Sequence, residues 1–132
     1  MSQGPAISPP TTFLTARYVP RNADPSSYDK TTWTADAAWH DWDLSTIIPA
    51  SAVAVALTFT SAISGAGAAV EIKFRRNGNS NTAEILELYA PSGDVGSCFG
   101  VVPCDTSRVI EYWITNLGGQ YSISAVVMGW FI

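Results

Sequence analysis

The residues best equipped for chemistry lie together between Thr31 and Asp43, in TTWTADAAWHDWD, which carries three of the five tryptophans and the only histidine. Trp33, Trp39 and Trp42 offer flat apolar faces for stacking on sugar rings, and Asp36, Asp41 and Asp43 are placed to accept hydrogen bonds from sugar hydroxyls. His40 amid these acids offers a metal ligand. A metal site, however, needs ligands repeated at a set spacing, such as two histidines one helical turn apart, and a single histidine does not supply it. The same tryptophans also suit a structural duty, closing the end of a β core. That duty is the expectation carried forward, with glycan contact through the three rings as the alternative.

Other routes to catalysis fail on their spacing. A Ser-His-Asp triad would have to use His40, and no serine sits in a Gly-x-Ser-x-Gly elbow. GAGAAV from Gly65 lacks the last small residue of a dinucleotide loop and leads into a strand-like run rather than a helix. Two carboxylates at glycosidase spacing would be an accident in a chain with eleven acids. The expectation is a protein that is not an enzyme, with no catalytic residue, cofactor or resident metal. Cys98 and Cys104 frame SCFGVVPC. An extended segment holds their sulfurs on the order of 20 Å apart, so two buried thiols are favoured, while a tight loop would allow a bridge.

These residues must be positioned by strands. From Val109 to Ile132 two alternating runs flank Asn116, Gly118 and Gly119 and read as an antiparallel hairpin. Ile110, Tyr112 and Ile114 share one face of the first run. In the second, Tyr121, Ile123, Ala125, Val127 and Phe131 share a face, while the other changes from Ser122 and Ser124 to Val126, Met128, Trp130 and Ile132. The end of the chain therefore reads as buried on both sides. Upstream, Val53, Val55, Leu57 and Phe59 alternate with small residues, and Val70, Ile72 and Phe74 alternate with Glu71, Lys73 and Arg75, which reads as a second hairpin. No helical period persists. Runs starting near Thr11, Thr31, Ala52, Ala69, Glu84, Ser97, Arg108 and Tyr121 predict an all-β antiparallel sandwich of about eight strands, jelly-roll-like.

Five of eight prolines fall within the first 25 residues, so residues 1–28 read as an extended arm before a single sandwich domain, 29–132. An edge strand around Thr11 to Val19 is the other reading of this segment. Charged residues make up 14% of the chain against about 25% in ordinary domains, which predicts neutral surface covered by self-association. A formal charge of −4 argues against nucleic acid as a partner. MSQGPAISPP has no basic head or apolar run, and the segment from Ala50 to Ala69 is too broken for a membrane helix. The expectation is a protein made in a cytoplasm with no membrane partner.

DLSTIIPASAVAVALTFT, VEIKFRRNGN, VPCDTSRVIEYWITN and SAVVMGWF, spanning Asp43 to Ile132, resemble small β-sandwich virion proteins of tailed bacteriophages. The elements that carry the resemblance are the Asp43-Leu44-Ser45 lead, the Arg75-Arg76-Asn77-Gly78 corner, the step from Pro103 to Asp105 and the Gly129-Trp130 pair. The resemblance implies a jelly-roll-like unit, commonly trimeric, that decorates capsids or forms part of a fibre. The expectation is a homotrimeric capsid decoration protein on the outer virion surface, cementing the major capsid protein without covalent chemistry. Its oligomer or capsid interface is expected at Phe13, Leu14, Tyr18, Val126, Met128, Trp130 and Ile132. The alternative is a tail-fibre or receptor-binding domain that takes host glycan through Trp33, Trp39 and Trp42.

Overall fold

Alternating apolar runs form strands here because only an extended backbone places every second side chain on one side. In a computed structural model, which describes residues 17–22, 28–63, 70–82, 85–90, 95–116 and 121–132, they form eight. They are β1 (Tyr18–Pro20), β2 (Trp39–Asp43), β3 (Ala54–Ile63), β4 (Val70–Arg76), β5 (Leu86–Ala90), β6 (Val95–Pro103), β7 (Val109–Ile114) and β8 (Tyr121–Phe131). There is no α-helix among the described residues.

The strands make two four-stranded antiparallel sheets, β1-β8-β3-β6 and β2-β7-β4-β5. β1 pairs with β8, β2 with β7, β3 with β6 and β4 with β5, while β3–β8 and β4–β7 complete the sheets. Nested pairs of this kind are one long hairpin rolled onto itself, the strand order of a jelly roll. The expected sandwich is therefore formed.

Two expected hairpins are not. β7 and β8 lie in different sheets, and so do β3 and β4. Alternation assigns a face to each strand but no partner, and turn residues serve an arch between sheets as well as a tight reversal. Residues 64–69 and 117–120 lie outside the described residues. The second strand also begins later than expected. β1 spans Tyr18–Pro20, and the strand start expected near Thr11 lies, with Phe13, Leu14 and the rest of residues 1–16, outside the described residues. β2 starts at Trp39, and the backbone before it is tied instead by Lys30 bridging Ala125 and by the Ala37 N–H donating to Ile114 O at 2.9 Å. Because Tyr18–Pro20 pairs with Phe131–Gly129, the sandwich takes in residues that were read as part of the arm.

The core lies between the sheets. Val55, Leu57, Phe59 and Ala125 from one face Ile72, Phe74, Ile110 and Ile114 from the other, and Leu44 is fully buried beside them. The apparent two-sided burial of β8 has a local cause. Ala56 is opposite Gly129 and Leu57 is opposite Val127, so Met128 is an extra residue in a β-bulge. Before the bulge the odd-numbered residues Ile123, Ala125 and Val127 point inward. After it Trp130 turns in to pack on the core, while Phe131 turns out against Tyr18, ring centroids 5.2 Å apart.

Candidate functional site

β2 divides the chemically dense patch between the two sides of its sheet. Trp42 points inward and is 6% exposed; Trp33, which precedes the strand, is 7% exposed. Trp33 meets Tyr112, Trp42 and Phe74 edge to face at 4.9, 5.7 and 6.2 Å, and its Nε1–H donates to Ile123 O at 2.8 Å, which satisfies the indole's polar atom inside the core. The ammonium of Lys30 closes this cluster, 5.1 Å from the Trp33 ring, 5.1 Å from Tyr112 and 5.9 Å from Trp42. Trp39 alone of the three leaves on the outer side. The three rings thus form no common platform for the alternative glycan contact: Trp39 and Trp42 stand three residues apart in one strand and so point to opposite sides, and Trp33 is buried before the strand begins.

The acids of the patch are similarly dispersed. Asp36 Oδ1 lies 2.8 Å from His40 Nε2 and accepts the Ala38 N–H, contacts that hold its carboxyl below the usual carboxylate range. Asp43 accepts the Ser45 N–H at 2.8 Å, which holds it low too. Among the described residues no three His, Cys, Asp or Glu side chains converge as a metal site would require. Cys98 and Cys104 are unbridged, and burial raises both thiols.

The motif elements singled out in the sequence meet in space. Asn77 Nδ2 donates to Asp105 Oδ2 at 2.9 Å, while Asp105 Oδ1 accepts the N–H groups of Ser107 and Val109, both at 2.9 Å. Gly78 has φ 75°, the left-handed turn geometry expected of Asn77-Gly78. This corner borders an open groove of about 330 Å³, lined among others by Val53, Arg76, Pro103 and Cys104.

The larger contrast is between the outer faces of the sheets. On β2-β7-β4-β5, cross-strand rows read Trp39, Trp113, Lys73, Glu87 and then Asp41, Glu111, Arg75. Arg75 stacks on Trp39 at 4.0 Å and pairs with Glu111 at 2.6 Å; Lys73 stacks on Trp113 at 4.3 Å and pairs with Glu71 at 2.9 Å. This is a water-facing lattice of matched charges. On β1-β8-β3-β6 the outward residues carry no charge on any strand. Tyr18 and Phe131 lie beside Ala54, Ala56, Thr58 and Thr60 at the centre, with Phe99 and Val101 on β6. Among the described side chains of this sheet, four large apolar ones stand open: Phe99 is 60% exposed, Tyr18 44%, Met128 44% and Val101 42%.

Of the expected interface residues, Tyr18, Val126 and Met128 belong to this uncharged sheet face or its bulge. Trp130 turns inward, and Ile132 is half-buried where its backbone exchanges two 3.0 Å hydrogen bonds with Arg17. Sequence reasoning missed Phe99 and Val101. Their signal was the small residues Cys98 and Gly100 alternating with them: Leu86 fills the space beneath Gly100, so the small residues point in and the large ones out. No protein-family model matches the chain, and no curated protein matches it.

Proposed function

We propose that this chain is a non-enzymatic structural module that works by adhesion through the outer face of β1-β8-β3-β6, and that its setting is a virion, where it cements the capsid surface. The observation that carries adhesion is the asymmetry of the faces: matched charges on one sheet, and an uncharged face with four open apolar side chains on the other. Covering on the order of 300 Å² of apolar surface contributes about 7 kcal/mol gross. Lost rotational and translational freedom offsets much of that, so such a face holds best when many copies bind together. The bacteriophage setting rests on the sequence resemblance, and the major capsid protein is the partner that it implies.

Imaging of purified parent particles with labelled antibody against this chain tests the setting. Many copies spread over the head are expected. Absence from particles, or a few copies confined to the tail, overturns capsid cementing. Tyr18→Lys with Met128→Lys, which charges the face away from β6, is expected to abolish binding to undecorated heads while leaving the fold intact; undiminished binding overturns the assigned face.

A further inference from the structure

A β-sandwich has four sheet edges, and three of these are protected. β1 is three residues long, ends in Pro20 and lies between Arg17 and Arg21. β2 is five residues long and carries Asp41 and Asp43, and β5 is five residues long and carries Glu87. Short length, proline and charge are the usual means of keeping an edge from pairing with another chain. β6 has none of them. It runs nine residues, VGSCFGVVP, with no charge and no proline before its last position. It pairs only with β3, so its alternate N–H and C=O groups point away from the sheet without a partner strand among the described residues.

We infer that β6 is a dimerisation edge and that its partner is β6 of a second copy of this chain, joined antiparallel about a two-fold axis at Phe99. The inference deepens the adhesion reading by naming a partner, and it rests on that reading only for the use of the uncharged face. Phe99 is the central residue of Val95–Pro103, so an antiparallel pair centred there sets Phe99 against Phe99 of the second copy and Val101 against Ser97. The exposed side chains of Phe99 and Val101 are thereby covered, and two four-stranded sheets become one of eight. Electrostatics does not oppose the approach: the strand and the outer face beside it are neutral, and the matched charges lie on the other sheet. Gly96, Cys98, Gly100 and Val102 point inward, so pairing needs no repacking of the core. An isologous edge predicts a dimer, not the trimer implied by the sequence resemblance.

Sedimentation velocity on the purified full chain at tens of micromolar is expected to give a dimer. Amide exchange across residues 95–103 should slow as concentration rises. Phe99→Lys with Val101→Lys places like charges at the axis and is expected to weaken association on the order of a hundredfold or more. Both positions are open to solvent, and an unchanged near-ultraviolet circular dichroism spectrum confirms the fold. Tyr18→Lys with Met128→Lys charges the same face away from β6 and should leave the dimer intact. A monomer, a trimer, or a dimer that survives the first pair of substitutions overturns the inference. Loss of association in both pairs also overturns it, in favour of face-to-face stacking. Particle imaging decides the virion setting separately, so either conclusion can fail without the other.

Discussion

Tyr18 lies across Gly129: a Cβ added at Gly129 would come within 2.5 Å of the Tyr18 hydroxyl and 2.5 Å of the Val19 carbonyl oxygen. The absence of a side chain lets β1 close onto β8, where the Tyr18 hydroxyl donates to Met128 O at 3.1 Å. Gly129→Ala is expected to lower stability by about 2–3 kcal/mol in urea unfolding, the usual cost of overpacking. Adding Tyr18→Ala should not restore it, because the second obstacle is backbone. Full rescue would show that the tyrosine ring alone set the requirement.

Asp105 organises the β6–β7 turn. Burial works against its ionised form, but the Val109 N–H, the Asn77 amide and the Ser107 N–H outweigh it, and the carboxyl is held below its ordinary 3.8. A depressed folded pKa means that the contribution is fully present above 3.8 and is lost as pH falls through the lower folded value. Asp105→Ala is expected to cost about 1–3 kcal/mol at neutral pH, with the difference from the parent narrowing in acid. Parallel pH profiles would sink the assignment.

How far the sequence disclosed this fold depends on the range of the interaction. Alternation is local, and it placed Ile110, Tyr112, Ile114, Ile72 and Phe74 inward, as found. Asp105 and Gly78 announced their turns by residue type. Partner choice is long-range: nothing within β8 says that it pairs with β1 and β3 rather than β7. A bulge is invisible in a period of two, so Met128 made the strand end look apolar on both faces. Trp33 misled in another way, since its side chain anchors an irregular segment through one indole hydrogen bond where a strand was expected. Phe99 was assigned to neither face, although Gly100 and Cys98, the small residues that alternate with it, turn it outward.

Arg108 occupies the left-handed region, φ 64°, while its Nη1 donates to Ser45 O and Ile48 O, both at 3.0 Å. Backbone strain and side-chain bonding therefore separate by substitution. Arg108→Ala should lose the bonds and keep the strain, costing about 2–3 kcal/mol. Arg108→Gly loses the same bonds but relieves the strain, and should be more stable than the alanine variant by about 1 kcal/mol. Equal stabilities in thermal unfolding would remove strain from the account.

The tryptophans provide a direct check on the divided patch. Trp33→Ala opens a cavity among Tyr112, Trp42 and Phe74 and removes the bond to Ile123 O, a loss of about 3–5 kcal/mol. Trp39→Ala removes a half-buried ring that chiefly stacks on Arg75, and about 1 kcal/mol is expected. Chemical denaturation of the two variants should keep this order. A costlier Trp39 would return that ring to the core and revive a different arrangement of the patch.

Thiol reactivity tests the inner side of β6 and the residue that follows it. Cys104 is 5% exposed with Sγ 3.5 Å from Ala52 O, and Cys98 is half-buried opposite Phe59. Burial raises both above the ordinary 9.0, so the reactive thiolate is scarce at neutral pH. In native protein a charged disulfide reagent is expected to label Cys98 slowly and Cys104 only at the rate of unfolding; in denaturant both should react at once. The linkage follows from the same shift. Above pH 9.0 the unfolded chain ionises its thiols first, so stability should fall as pH rises from there towards the folded values. Replacing both cysteines by alanine should flatten that alkaline limb, even though the smaller side chains lower stability at neutral pH. A limb that persists unchanged would assign it to other groups, and fast native labelling of Cys104 would contradict its place beneath Ala52.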